Sequence, residues 1–416
     1  MFQNAEIAEQ NIITIQDGES AFFEAFVNRY GLRWSYEEKQ SSILPLSKSY
    51  VGYITTPCRT ISLKPKYREI GFEHIFRMYL YVYGYRPTDS PAVLDVTNAE
   101  TSTDVADLFI KNLKQNIRQG IIRTYQPAVI DERTLSGRVD FPHTFINNVR
   151  QKQKYVRTRV SSLSLDNDIN SLIATALSRL KYVQKYASVV SELLMYFPNA
   201  KQNVQNGSKV LKKVVFNSNT SRYRRTLVYA AMIIDQLSYN DVGASIGTDS
   251  FLINFDALFE DFVIKILKEY PEQKGFSTWA EAMKFAEVID QYNPGGEREY
   301  QPDILYRYNP EDAAFNYYPS AETVLDVKNK AYDQFKNPDI YQILTYAKLL
   351  HSSKAVLLYP AFSQREPITL SLNPDIFEHP IINACFVSIA DANGDAFLKS
   401  IRRFADTVEK IVLGLR

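Results

Sequence analysis

The stretch QPDILYRYNPEDAAFNYYPSAETVLDVKNKAY, from Gln301 to Tyr332, decides how this chain reads. Pro-Asp stands just ahead of one apolar run, DILYRY, and Asp-Val-Lys stands inside the next, TVLDVK. Both runs have the β-branched and aromatic content of strands. Two carboxylates and an ammonium are costly beside a hydrophobic sheet unless something pairs with them. Side chains alternate along a strand, so Asp326 and Lys328 fall on one face and Leu325 and Val327 on the other. Asp303 opens the neighbouring strand, 326 − 303 = 23 positions earlier, and a hairpin connection of that length can lay it beside Asp326. Two carboxylates with the carbonyl of Val327 then form an oxygen site for a hard cation such as Mg²⁺. A metal there lowers the pKa of bound water and stabilises charge on a phosphoryl oxygen. Lys328 orients the water and offsets charge in the transition state.

Plainer readings exist for each residue. Asp after Pro favours turns, so Asp303 could be a turn or cap residue. Asp326 and Lys328 could be gatekeeper charges on an exposed strand edge, although the apolar flanks Val324, Leu325 and Val327 argue against an edge.

Working outward, FDALFEDFVIKILKEY (255–270) carries Phe255, Leu258, Phe259, Phe262, Val263, Ile266 and Leu267 on one helical stripe, with Glu260 and Asp261 beside it. TWAEAMKFAEVID (278–290) reads as a further helix. After the two strands, NPDIYQILTYAKLLH (337–351) reads as a helix, KAVLLYP (354–360) as a buried strand, ACFVSI (384–389) as another strand, and DAFLKSIRRFADTVEKIVL (395–413) as a closing helix. Helix, strand, strand, helix, strand predicts a mixed sheet flanked by helices.

The first hundred residues read as mixed α/β. SYVGYITTPCRTISLKPKY (49–67) has hairpin character around its Thr-Pro break, and IGFEHIFRMYLYVYGYRP (70–87) reads as a helix that stops before Pro87. TSTDVADLFIKNLKQNIRQGIIRTYQ (101–126) is an amphipathic helix with Thr101 or Ser102 as cap and Gly120 near its end. TLSGRVDF (134–141) follows as a short strand. From Asp166 to about Leu237 the pattern is helical: NSLIATALSRLKYVQKYASVVSELLMYF runs to Pro198, and SRYRRTLVYAAMIIDQLS forms another helix. These shifts divide the chain into an α/β part at 1–160, a helical middle segment at 161–246 and a third region at 247–416.

Composition narrows the function. The chain has 416 residues with 45% hydrophobic and 23% charged, an ordinary globular balance. Net charge is +1, so no global field draws it to nucleic acid. Two widely spaced cysteines, Cys58 and Cys385, exclude a disulfide framework or a cysteine zinc cluster and fit a reducing cytoplasm. The acidic, polar N-terminus is no signal peptide, and no apolar run reaches the roughly 18 residues that would span a bilayer. The four histidines have no metal-ligand spacing. NPGGERE (293–299) lacks the Gly-Lys-Ser/Thr ending of a P-loop, so the chain should not hydrolyse nucleotide by itself. The clusters RQKQKYVRTR (150–159) and RYRR (222–225) could track phosphates, but basic stretches are more often solvated faces.

PD followed by DVK resembles the PD-(D/E)XK nuclease signature. LFEDFV resembles the leading helix of these nucleases, where an acidic residue, here Glu260, can approach the metal. YQILTYA supplies Gln342 and Tyr346, four apart on one helical face, and matches the Q-x-x-x-Y element of one nuclease branch. The wider chain resembles the McrC family, the nuclease subunit of a modification-dependent restriction system. The pieces that carry this are VGYITTPCRTISLKPKY, FIKNLKQNIRQGIIRTYQ, TLSGRVDF, LFEDFVIKIL, QPDI and LDVKNKAY, over roughly residues 50 to 350. The resemblance implies a restriction-endonuclease-like fold at 247–416 and an N-terminal part that docks on a hexameric AAA+ GTPase of McrB type, whose GTP hydrolysis the subunit stimulates. It implies catalytic positions at Asp303, Asp326 and Lys328, with Gln342 and Tyr346 beside them. It also implies Mg²⁺, with Mn²⁺ as a substitute, held by Asp303, Asp326, Val327 and Glu260, and a second basic position at Lys330. Double-stranded DNA would be gripped mainly through the partner, in a prokaryotic cytoplasm and away from membranes. Two other functions compete: a nuclease of the same fold working with another motor, and a non-catalytic adaptor that activates an AAA+ ring. Intact Asp303, Asp326 and Lys328 argue against the adaptor.

Overall fold

The computed structural model describes residues 6–7, 12–29, 32–56, 58–87, 89–96, 105–133, 137–149, 155–181, 183, 185–236, 251–271, 275–278, 283–288, 296–373, 375 and 381–415. It is a mixed α/β arrangement of several sheets and helices. The chain begins with β1 (Glu6–Ile7), β2 (Ile12–Thr14), α1 (Ser20–Arg29), α2 (Tyr36–Gln40), β3 (Ile43–Pro45), β4 (Tyr50–Thr55), β5 (Thr60–Leu63) and α3 (Phe72–Gly84). The hairpin expected around the Thr-Pro break forms: β4 and β5 pair antiparallel, with Ile54 opposite Ile61. The helix expected before Pro87 is α3, whose residues from Ile75 to Val82 are all buried.

Next come α4 (Val105–Arg118), β6 (Thr124–Glu132), β7 (Arg138–Val139), α5 (Phe141–Val149) and β8 (Val156–Ser164). α4 buries Leu108, Phe109 and Leu113. Gly120, at φ +104°, closes it by donating its N–H to the Ile117 carbonyl at 2.9 Å; the expected caps Thr101 and Ser102 lie outside the described residues. The strand expected in TLSGRVDF is limited to Arg138–Val139, and the chain turns helical at Phe141. β6, β8 and β7 form a three-stranded sheet.

The middle segment is helical as expected, with α6 (Asp168–Leu180), α7 (Ala187–Leu194), α8 (Gly207–Leu211) and α9 (Arg224–Gln236). The helix expected to run unbroken to Pro198 is interrupted between α6 and α7, where the buried Val183 and Tyr186 each donate an N–H into a turn. The arginines of RYRR are all engaged within the protein, Arg222 from an exposed position. Arg222 bonds the Gly120 carbonyl (2.8 Å), buried Arg224 pairs with Asp89, and Arg225 bonds the carbonyls of Val93 and Asp95. Of the other basic cluster, 150–154 lie outside the described residues, while Arg157 pairs with Asp131 and Arg159 with Asp140.

The last part contains β9 (Phe251–Asn254), α10 (Phe255–Glu269), β10 (Phe276–Thr278), β11 (Met283–Val288), β12 (Gly296–Tyr300), β13 (Ile304–Asp312), β14 (Tyr318–Val327), α11 (Asn337–Leu349), β15 (Lys354–Ala361), β16 (Ile368–Ser371), β17 (Ile381–Ser388) and α12 (Gly394–Leu413). β9 pairs antiparallel with β4 and so completes the sheet β1-β5-β4-β9. The helix expected at 278–290 is absent from its described residues. Met283–Val288 is a strand that pairs antiparallel with β12, Met283 opposite Tyr300. Ala, Glu, Met and Lys are among the better helix formers, but propensity is a small term and strand pairing overrides it.

The predicted mixed sheet is present, in the order β10-β13-β14-β15-β17-β16. β14, β15 and β17 run parallel, and the remaining pairs are antiparallel. Alternation along its strands separates two apolar layers. Ile304, Tyr306, Leu325, Val356, Leu358, Cys385 and Val387 face the layer that contains α10 and α12. Leu305, Val324, Leu357, Tyr359, Ala384 and Phe386 face the layer that contains α11. The first layer is continuous with α3, α4, α6 and α9, so one apolar cluster extends from Val51 to Val412. Among the described residues, no helix is long and apolar enough to cross a membrane.

Candidate functional site

Register creates the site. Ile304 of β13 lies opposite Leu325 of β14, so the next facing positions are Asp303 and Asp326. Asp326 is on the same face as Val324, toward α11, and is only 2% exposed. Asp303 is half-buried and accepts a hydrogen bond from the Val327 N–H at 2.7 Å, which ties the two strand ends together. The two carboxyls are close enough to influence each other's titration.

Burial is the main influence on both acids. It pushes Asp303 up to about 7, helped by the neighbouring Asp326 and Glu260 and opposed by the Val327 N–H and Lys328. Burial also raises Asp326, against the pull of Lys328. Glu260, on α10, is raised by burial and then by Asp261 and Asp326. Like charges brought together in a poorly solvated place resist joint ionisation.

Lys328, one residue past β14, makes an ion pair with Asp326 Oδ2 and donates to Gln342 Oε1 at 2.8 Å. Gln342 Nε2 donates to Tyr346 Oη at 2.8 Å. Asp326, Lys328, Gln342 and Tyr346 therefore form one polar chain, because α11 packs on the face of the sheet that carries Asp326. Lys330 pairs with the buried Asp339 of α11 at 2.6 Å, and Asp339 also accepts from Tyr359 Oη at 3.2 Å. An open cleft of about 320 Å³ is lined by Asp256, Ala257, Glu260, Val327, Lys328, Asn329 and Lys330.

The structure thus brings Asp303, Asp326, Lys328, Gln342 and Tyr346 together. Glu260 is close enough to raise Asp303 and to be raised by Asp326, but among the described residues no group of three His, Cys, Asp or Glu side chains is arranged to hold a metal ion. What the strand ends bring together is two carboxylates, Asp303 and Asp326. That set suits Mg²⁺, which is commonly held by one or two carboxylates together with water and phosphate oxygens. Asp326 Oδ2, buried and without a hydrogen bond beyond its ion pair, has room in its chemistry for such a ligand.

Asp256, Asn329, Asp339 and Lys66 also belong to the surroundings of the cleft, and sequence reasoning did not single them out. Lys66 meets Asn329 across 263 positions, a separation with no periodic signal.

A pH effect follows from Asp303. Its folded-state value lies above the ordinary 3.8, so the folded protein holds the extra proton between about 4 and about 7. Stability without metal is therefore full below that window and declines as pH rises through it. Urea unfolding of wild type and Asp303→Asn in chelator should show the variant gaining on wild type from pH 4 to pH 7. Parallel curves would contradict the raised value of Asp303.

The family model described as McrBC 5-methylcytosine restriction system component matches residues 46–360. Among solved structures, a chain of the refined half-complex from the tetradecameric assembly of Thermococcus gammatolerans McrB AAA+ hexamers with bound McrC is 16% identical. That match covers 98% of this chain and 99% of the other, at a TM-score of 0.50, and is a likeness of fold. A chain of the cryo-EM structure of the T. gammatolerans McrBC complex is 17% identical, over 64% of this chain and 87% of the other, at a TM-score of 0.40. No curated protein matches the chain.

Proposed function

The chain belongs to the McrBC 5-methylcytosine restriction system component family, and from that premise we propose that it is the cleavage subunit of a restriction complex, a Mg²⁺-dependent DNA endonuclease of the PD-(D/E)XK type acting in the cytoplasm on methylated double-stranded DNA. The observation that carries this reading is the pairing of Asp303 with Asp326 at adjacent strand ends, with Lys328 held by Gln342 beside them. Asp303 and Asp326 would hold the cation. When bound, Mg²⁺ supplies Lewis-acid stabilisation of phosphoryl charge and acidifies a bound water. Lys328 places its ammonium beside the scissile phosphate and offsets negative charge there. Gln342, fixed in turn by Tyr346, holds that ammonium in one rotamer. The test is cleavage of methylated plasmid with Mg²⁺, GTP and the neighbouring AAA+ partner, wild type against Asp326→Ala.

The partner in this reading is an AAA+ GTPase of McrB type, in line with the McrB hexamers of the T. gammatolerans assembly. DNA grip then comes mainly from the partner, which fits a chain with a net charge of only +1. The sheet β6-β8-β7 and α5 supply the docking surface. Phe141, Phe145 and Val149 recur every fourth residue along α5, and all three are exposed, as are Tyr125, Val129 and Leu163 of the sheet. Exposed apolar groupings of this kind mark protein contacts. Phe145→Asp should weaken partner binding by roughly 30-fold or more, the cost of losing one interface hot spot. Titration of the partner ring with labelled protein measures this, and an unchanged Kd would rule the surface out.

A further inference from the structure

Asn329 lies between the two lysines of the DVKNK stretch, and every polar group of its side chain is engaged on the side away from them. Asn329 Nδ2 donates to Asp256 Oδ1 at 2.7 Å and to the Phe255 carbonyl at 3.2 Å, and its Oδ1 accepts from Tyr67 Oη at 2.9 Å. Its backbone carbonyl accepts from Lys66 Nζ, which also donates to Asp256 Oδ1 at 2.6 Å. Lys66 and Tyr67 lie just past β5, after Lys64 and Pro65, and the Lys66 side chain is 16% exposed, with its ammonium over the Tyr67 and Phe255 rings. Lys328 and Lys330 point the other way, to Gln342 and Asp339, and the turn between them is closed by the Lys330 N–H donating to the Lys328 carbonyl at 2.8 Å. Asn329 is thus tied to residues 66–67 and α10 on one side of the turn, while both lysines are tied to α11 on the other.

We propose that Lys66, acting with Tyr67 through Asn329 and Asp256, is a positioning residue of the cleavage site. The proposal rests on the nuclease reading. Its physical basis is that the turn carrying Lys328 follows the end of β14 and is held from two sides, Lys328 and Lys330 by α11 and Asn329 by residues 66–67 and Asp256, so loss of one side lets it shift. A displacement of about 1 Å in a catalytic group can cost on the order of 100-fold in rate. A tether from residues 66–67 also makes the site depend on a segment remote from it in sequence. No contact of Lys66 with substrate is needed.

The experiment uses the full chain with its partner ring. Lys66→Ala should lower kcat for DNA cleavage by about 10- to 100-fold, leave KM for DNA and stimulation of the partner GTPase unchanged, and be partly rescued by Lys66→Arg. A readout independent of metal and turnover is amide hydrogen exchange. In Lys66→Ala, exchange at 327–331 should accelerate by about tenfold or more while α10 and α12 keep their protection, since local opening leaves the rest of the fold closed. Acceleration everywhere would mean a merely structural role and overturn the proposal. Cleavage by wild type but not by Asp326→Ala, with Lys66→Ala at the wild-type rate, would overturn the Lys66 role alone. Cleavage by Asp326→Ala, or none by wild type, would remove the cleavage site and the Lys66 role with it. Should Lys66→Ala fail to fold, Tyr67→Phe removes only the hydroxyl that donates to Asn329, and the same acceleration at 327–331 is expected.

Discussion

Asp326→Ala should reduce DNA cleavage by about 1,000-fold or more, the scale of loss when one member of a cooperating catalytic group is removed. Partner binding and stimulation of GTP hydrolysis should be unchanged. The fold should tolerate the substitution for a physical reason. Asp326 is 2% exposed, and burial raises its pKa, so the native state bears a desolvation cost that alanine relieves. Lys328 keeps Gln342 as a partner and is partly reached by solvent. The informative design measures plasmid cleavage and GTP turnover in the same reaction, for wild type and variant. A variant that still cuts would sink the assignment of Asp326. Wild type that never cuts but does stimulate the partner would favour an adaptor over a nuclease.

Phe262→Ala should destabilise the protein by about 3–5 kcal/mol, the usual cost of truncating a buried Phe. Phe262 is fully buried on α10. Its ring meets Tyr81 of α3 edge-on at 5.4 Å, stacks on Phe397 of α12 at 5.5 Å, and leans on Phe259 at 6.3 Å. Aromatic contacts of this geometry add about 0.5–1.5 kcal/mol each beyond area burial. The ring joins three helices that are far apart in sequence, so the cavity cannot be closed by adjusting one of them. Urea denaturation followed by circular dichroism gives the value directly. A loss below about 1 kcal/mol would mean that the α3–α10–α12 contact is looser than described, on the scale of ordinary core truncations.

Much of the third region was legible because its strands and helices obey simple periods. Alternation in TVLDVK put Asp326 and Lys328 on one face, and they are an ion pair. Fourfold spacing put Gln342 and Tyr346 on one face of a helix, and they are hydrogen-bonded. The stripe from Phe255 to Leu267 is the buried face of α10. Where propensity stood alone it failed. AEAMKF looks helical, but Met283 sits in a strand opposite Tyr300, and a choice made by a pairing partner cannot be read from the segment itself. RYRR looked like a candidate phosphate track, but its arginines bond carbonyls and an aspartate from residues 89–120, partners that no local pattern announces.

The amino-acid sequence by itself determined which side chains share a face and in what order the acidic and basic groups of the site follow one another, because face and order depend only on local backbone geometry. Tertiary structure decided the rest. The register of β13 on β14 set Asp303 against Asp326. The packing of α11 brought Gln342 to Lys328. The return of β9 to β4 and the reach of Lys66 across 263 positions tied the first sheet to the turn beside the cleft. Contacts between segments so far apart in the chain form only when burial of a common apolar core offsets the entropy of closing the long loops between them, and that balance belongs to the whole molecule.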